Sequence, residues 1–370
     1  MKPRLLVVLP DLAAGGAHFM NMRLARQLQL RGWQVSIAVL FDRPAAITAA
    51  QLKGLDIVLL RALGHFAKAR LPMCLAHLAA HADVVLGGME FAATNYGYAA
   101  ARLANKPFIS WIHTSVYRHQ HSARGLDRWI SQRVYKNLKW VVFPSLGARD
   151  SLRRVVGSTP HHAQWQVIEN FLDDMPCSPK SSVPDCNAYT KPVIIGVGRF
   201  GVVKAFDRLI RAHAALRAQG VEHHLVLLGD GPQCDALHQL VRILGMERSV
   251  FMPGHVQDVQ LWLHYATIFA LCSNYEGLPL VLLEAMQAGL PVVSMDCPSG
   301  PREILDGGRF GVLVPDQDEV SFQRALAHLL QSPQEREKFS MLGKIRVEHY
   351  SADRIVPLWE NLLLQVARRK

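Results

Sequence analysis

Short, unbroken apolar runs recur along the chain, and each is followed by a glycine-rich or polar turn and then by a segment of helical spacing. In the first half the runs fall at 5–10 (LLVVLP), 33–40, 56–60, 84–87, 108–113, 141–145 and 165–170. A run of four to eight apolar residues with no alternation is the pattern of a strand covered on both faces, the usual state of a parallel sheet. Helical spacing lies between them, for example over 19–30, 71–81 and 96–104. The pattern restarts at 193–198 and continues through 224–228, 249–254, 268–271, 291–295 and 309–315, with helices over 205–219, 233–244, 259–265 and 319–330 and from 333 and 352. Strand and helix alternate throughout, which predicts two doubly wound α/β halves of Rossmann type. Between them, residues 173–192 carry four prolines and three serines, the composition of a linker. The expected division is a domain over 1–175, a linker over 176–191 and a domain over 192–352, with the C-terminal helix 353–370 joining the first.

The most informative stretch runs from Cys272 to Leu305. It reads as a strand end, a polar loop holding Glu276, a helix entered at Pro279, a stop at Gly289 and a second strand over 291–295. Proline at the first helical position and glycine past the last give both boundaries a local cause. Leu280, Val281, Leu282, Leu283, Ala285 and Met286 predict a buried helix. Glu284 lies inside it, so this carboxylate needs partners or the lip of a cleft. A helix N-terminus flanked by two carboxylates suits a ligand with an anionic part and a hydroxyl-rich part, such as a nucleotide sugar. The bland alternative is a capped helix whose acids meet an arginine.

Charge narrows the partners. The net +11 is carried by the first half, where residues 1–180 hold 22 Lys and Arg against 10 Asp and Glu. The segment from Tyr117 to Trp140 is basic, with Arg118, Arg124, Arg128, Arg133, Lys136 and Lys139, and Trp129, Ile130, Val134 and Leu138 are read as one apolar stripe. A solvated helix face explains such a segment, while the wider excess favours an anionic membrane surface or a diphosphate-linked lipid. Nucleic acid is not expected, since no binding motif accompanies the charge. No run approaches a membrane span and no signal-peptide layout opens the chain, which predicts a cytoplasmic protein, peripheral on the inner face of the cell membrane. The six cysteines form no CxxC pair, and the histidine pairs 161/162, 223/224 and 119/121 lack acids at ligand spacing, so neither a disulfide framework nor a metal site is expected. Asp316-Gln317-Asp318 has the form of a metal-binding DxD, but it precedes a helix, where acids serve as caps.

Two cations, Arg199 and Lys204, follow the first strand of the second half, where an arginine fork and a mobile lysine charge would clamp a diphosphate. In the first half, Gly15-Gly16 opens the first turn with no side chain in the way of a ligand, and His113 ends a strand at the edge where open α/β sheets bind ligands.

Gly198-Arg199, Lys204, the pair Glu276 and Glu284 with Gly277-Leu278-Pro279 between them, and the run Ser299 to Leu305 together resemble the C-terminal half of family 4 retaining glycosyltransferases of the GT-B fold. Gly15-Gly16 and His113 fall where that family places its N-terminal glycine loop and active-site histidine. The resemblance implies two Rossmann-like domains facing across a cleft, the first binding acceptor and the second donor. It implies that Arg199 and Lys204 hold the donor diphosphate, Glu284 the ribose hydroxyls, and Glu276 with His113 the transferred sugar, with the backbone at 277–279 meeting phosphate and hexose. His18 departs from the pattern, because the family usually carries glutamate after its glycine pair. The implied donor is a UDP-linked hexose or N-acetylhexosamine, the acceptor a saccharide, lipid-linked, in surface polysaccharide or glycan assembly, and no metal or other cofactor is required. Alternatives are a GT-B sugar-nucleotide epimerase, a non-catalytic nucleotide-sugar binding protein, and a nicotinamide oxidoreductase, which would lack GxGxxG here.

Overall fold

The computed structural model describes residues 3–13, 15–43, 47–62, 64–119, 125–157, 160–173, 191–256 and 258–368. The proline-rich segment read as the linker, with Cys177 and Cys186, lies almost wholly outside the described residues, as do His121 and Arg124. The chain forms two compact units: residues 1–173 with 352–370, and residues 174–351.

The first unit is built on seven parallel strands: β1 (Arg4–Leu9), β2 (Gln34–Val39), β3 (Asp56–Leu59), β4 (Val84–Gly87), β5 (Phe108–Trp111), β6 (Trp140–Phe143) and β7 (Gln164–Val167). Their order is β3-β2-β1-β4-β5-β6-β7. The chain winds outward from β1 in one direction and returns to β4 to wind in the other, so a crevice opens between the C-terminal ends of β1 and β4. Leu5 to Leu9 and Val84 to Leu86 are buried because helices cover both faces, which is why these strands read as unbroken apolar runs. The C-terminal helix Ala352–Arg368 belongs to this unit; its Trp359 is buried against Trp111, ring centroids 4.5 Å apart.

The second unit repeats the winding on six parallel strands: β8 (Val193–Val197), β9 (His224–Leu228), β10 (Val250–Gly254), β11 (Ile268–Leu271), β12 (Val292–Met295) and β13 (Val312–Val314), ordered β10-β9-β8-β11-β12-β13. Its crevice therefore lies between the ends of β8 and β11.

Two readings of local sequence change. The helix after β11 spans Leu280–Gln287, so Pro279 is its capping residue rather than its first helical one, with an extended ψ of 102°. Trp129, Ile130, Val134 and Leu138 do not form one buried stripe: on the helix Gly125–Asn137, Trp129 is 61% and Ile130 37% exposed, Val134 is half-buried, and Leu138, just past its end, is fully buried. The spacing fixes an angular position on a helix, but a position faces the core only where another element covers it.

Candidate functional site

The crevice of the second unit gathers most of the predicted residues. Gly198 to Ala205 leave β8, Cys272 to Pro279 leave β11, and Asp296 to Gly300 leave β12. The first two loops are stitched together. Asn274 donates its backbone N–H to the Val203 carbonyl at 2.7 Å and its side-chain amide to the Val202 carbonyl at 2.6 Å. The buried thiol of Cys272 donates toward the carbonyls of Lys204 and Ala205, and burial pushes its pKa up to about 12, so it is a structural donor.

This stitching sets Lys204 beside Glu276. The ammonium donates to Glu276 Oε1 at 2.7 Å, and Ser273 Oγ donates to the same oxygen at 2.6 Å. Lys204 is 18% and Glu276 11% exposed in their side chains, so Lys204 is not the mobile exposed cation that the sequence implied. Its stem is laid over Gly198, where a Cβ would stand 2.8 Å from Lys204 Cε. Glycine is required at Gly198 for that approach. Arg199, two residues past the end of β8, is exposed and has no hydrogen bond or ion pair among the described residues.

Gly277, Leu278 and Pro279 lead into the helix Leu280–Gln287, whose first backbone N–H groups have no intrahelical partner. Ser299 donates its hydroxyl to the Gly277 carbonyl at 2.9 Å, and a Cβ at Gly300 (φ +96°) would stand 2.6 Å from the Pro279 ring. The run Ser299–Gly300 thus buttresses the helix entry. Glu284 is half-buried, on the same partly open stripe of the helix as Val281 and Ala288. That placement answers the cost of a carboxylate in an apolar helix.

In the first unit, Gly15 caps and Gly16 begins the helix Gly16–Leu30 after β1, and His113 lies two residues past the end of β5. The His113 backbone N–H donates to Glu90 Oε2 at 3.1 Å, and Asn21 Nδ2 stands 3.4 Å from its Nε2. Burial lowers the His113 pKa to about 3, so the ring is neutral at neutral pH. Asp11, Asn21 and Glu90 were missed by the sequence reading. Asp11 and Glu90 could have been found by asking which polar residues follow β1 and β4 directly; Asn21, one helical turn after His18, carries no such signal.

Asp318 of the DxD run caps the helix Glu319–Gln331, accepting from the Ser321 N–H at 2.9 Å. Among the described residues no group of His, Cys, Asp and Glu has the arrangement of a metal site.

Two family models match the chain. One, described as glycosyltransferase family 4, matches residues 14–174; the other, described as glycosyl transferases group 1, matches residues 191–332. Together they cover most of its length.

The chain belongs to the group 1, family 4 glycosyltransferases.

It is 25% identical over 262 residues to an α-D-kanosaminyltransferase of Streptomyces kanamyceticus, covering 67% of this chain and 68% of that protein. It is 31% identical over 162 residues to the N-acetylgalactosamine-N,N'-diacetylbacillosaminyl-diphospho-undecaprenol 4-alpha-N-acetylgalactosaminyltransferase of Campylobacter jejuni, covering 44% of each. The chain thus spans less than half the length of that second glycosyltransferase. Among solved structures, Anabaena Alr3699/HepE in complex with UDP and glucose superposes with a TM-score of 0.83 at 16% identity, over 98% of this chain and all of that one. This glycosyltransferase has the GT-B fold.

Proposed function

We propose that this glycosyltransferase moves a hexose or N-acetylhexosamine from a UDP-linked donor to a saccharide acceptor with retention of anomeric configuration, in polysaccharide or glycan biosynthesis. The observation that carries the reading is the convergence of Lys204, Glu276, Arg199 and the entry of the helix Leu280–Gln287 on the crevice between β8 and β11. Open α/β sheets bind ligands at that position.

Arg199, Lys204 and the helix entry at Gly277–Pro279 take the donor diphosphate, and Glu284 takes the ribose diol. Glu276 holds the transferred sugar. As the bond from the anomeric carbon to the diphosphate oxygen breaks, charge develops on the leaving diphosphate, and these fixed donors stabilise it more than they stabilise the intact donor. The anomeric carbon then bonds to the acceptor oxygen, whose proton leaves with the departing phosphate. Positioned cations and the helix dipole carry the charge, so the reaction needs no metal.

The acceptor belongs with the first unit and is lipid-linked. Support comes from the basic half of the chain and from the undecaprenol diphosphate in the Campylobacter relative's name. No helix among the described residues is long and apolar enough to cross a membrane. On the helix Gly125–Asn137, Trp129 and Ile130 are exposed together with Arg133 and Lys136, a combination that suits peripheral contact with anionic headgroups.

The test is calorimetric titration of UDP, ADP and GDP into purified protein with EDTA present, in wild type and in Glu284→Ala. Tight UDP binding that Glu284→Ala abolishes supports the donor site; failure of every nucleotide removes it. Products from UDP-sugars then separate transfer from epimerisation, since an epimerase releases an altered nucleotide sugar with no acceptor, and the anomeric proton coupling of the product reports retention.

A further inference from the structure

A cavity of about 730 Å³ opens in the first unit at the edge of the sheet where β5 and β6 begin. Phe108 and Trp140 are the first residues of those strands, and both line it. His113 lies past the opposite end of β5, and the four residues of that strand put about 13 Å between the two edges. The cavity is therefore separate from the ligand crevice of the same unit.

Its buried lining is apolar. Phe108 is 8% and Trp140 4% exposed, and Val366 of the helix Ala352–Arg368 is buried. The rest of the lining carries three cations: Arg102 and Lys139 are exposed and Lys106 is half-buried. Lys139 Nζ stands over the Trp140 ring, 5.9 Å from its centroid. None of the three forms an ion pair among the described residues, and no acid lines the cavity. Residues 91–149 contain one acid, Asp127, and residues 361–370 contain none. Asp127 lies in the first turn of the helix Gly125–Asn137, about 15 Å along the axis from the end that meets the cavity.

The bland role for such cations is to cap helix ends, and the helices Ala92–Leu103 and Gly125–Asn137 both end here. Their last carbonyls are already engaged. Those of Ala100, Ala101 and Arg102 accept the backbone N–H groups of Ala104, Lys106 and Asn105, and that of Arg133 accepts the Asn137 amide at 2.7 Å. The two helix dipoles offset roughly half a charge each, so three cations leave about two positive charges unbalanced. The third helix ends in Arg368, which answers its own dipole.

We propose that this cavity binds a phosphate monoester group, carried by a lipid headgroup or by a soluble phosphate compound. A monoester holds about 1.5–2 negative charges near pH 7 and offers three acceptor oxygens. Arg102, Lys106 and Lys139 supply donors and no acceptors, which is the complementary set. The apolar lining lowers the local dielectric and so strengthens the attraction, and it gives the carbon part of the ligand a surface to cover. The site is independent of the donor crevice and of the transferase reading.

The experiment uses the full chain labelled with 5-fluorotryptophan and followed by fluorine NMR, the Trp140 resonance being assigned with Trp140→Phe. The probes are inorganic phosphate and soluble short-chain phosphatidic acid, with short-chain phosphatidylcholine as the zwitterionic control. The Trp140 resonance should shift saturably with at least one of the two phosphate monoester probes. A response to inorganic phosphate assigns the site to soluble phosphate compounds, and a response to phosphatidic acid alone assigns it to a lipid headgroup. The combined variant Arg102→Gln, Lys106→Gln, Lys139→Gln should weaken binding at least about tenfold, and Lys139→Gln alone, at an exposed side chain, should weaken it in the same direction. UDP binding should be unchanged in both variants. No Trp140 response to either probe in wild type overturns the proposal. So does an equal response to phosphatidylcholine or to sodium chloride at matched ionic strength, or an unchanged affinity in Lys139→Gln and the combined variant.

Discussion

Lys204 Nζ and Glu276 Oε1 stand 2.7 Å apart, and each side chain is the other's charged partner. The two residues that the resemblance assigns to different parts of the donor therefore neutralise one another. A diphosphate that takes a second N–H of Lys204 competes with Glu276 for its charge. The expected consequence is an asymmetry. Glu276→Ala should leave UDP affinity equal or higher while transfer falls at least about hundredfold, the size of one lost transition-state contact. Lys204→Ala should weaken UDP binding and cost about 1–3 kcal/mol of stability, because Glu276 is left mostly buried without its cation. Calorimetry, turnover with a UDP-sugar and thermal melts read the three quantities; weaker UDP binding in Glu276→Ala would show that the pair does not compete with donor.

The loops holding that pair depend on close backbone packing. A Cβ on Gly229 (φ +140°) would stand 1.9 Å from the Gly198 carbonyl oxygen, while the atoms nearest to one on Gly198 (φ +154°) belong to the flexible Lys204 stem. Gly229→Ala should therefore lower the melting temperature markedly, since backbone must move. Gly198→Ala should be the milder change in stability and the larger change, relative to it, in UDP affinity. Denaturant midpoints and UDP titration distinguish the two.

The second unit also contains a buried imidazole chain. His213 Nδ1 lies 2.8 Å from His223 Nε2, and His213 Nε2 lies 2.8 Å from Ser249 Oγ. Burial, followed by the neighbouring His223 and Arg217, lowers the His213 pKa to about 3, and burial also lowers that of His223. The unfolded chain takes up protons on these rings near pH 6.5, whereas the folded chain resists until much lower pH. The His213 contribution is therefore complete above pH 6.5 and is lost as pH falls through the window down to about 3, at a slope of at most about 1.4 kcal/mol per pH unit, and His223 acts in the same direction. Urea midpoints at pH 7 and pH 5 should differ accordingly, and the difference should shrink in His213→Leu; a pH-independent midpoint over that range would remove the chain from the account.

Peripheral membrane contact makes a separate forecast. Replacing Arg133 and Lys136 with glutamine should reduce binding to anionic vesicles at low salt, and Trp129→Ser should reduce it at all salt concentrations, since apolar insertion is not screened. Flotation with neutral and anionic vesicles reads both, and equal binding to the two vesicle types would end the proposal. Donor turnover on a soluble acceptor should not change.

The sequence by itself determined the two α/β units, because strands buried on both faces must read as unbroken apolar runs and parallel strands must be joined by helices. It also placed Gly198-Arg199, Lys204, Glu276 and Pro279 in loops that follow strands of the second half. Tertiary structure alone decided three things. It placed β11 beside β8, which turned separate loop residues into one cluster, and that order depends on contacts far apart in the chain. It paired Lys204 with Glu276 and half-buried both, where sequence could give only their charges. It set His18 against Asp11, seven residues earlier and in a different element, because a hydrogen bond is fixed by distance and direction in space, and spacing along the chain specifies neither.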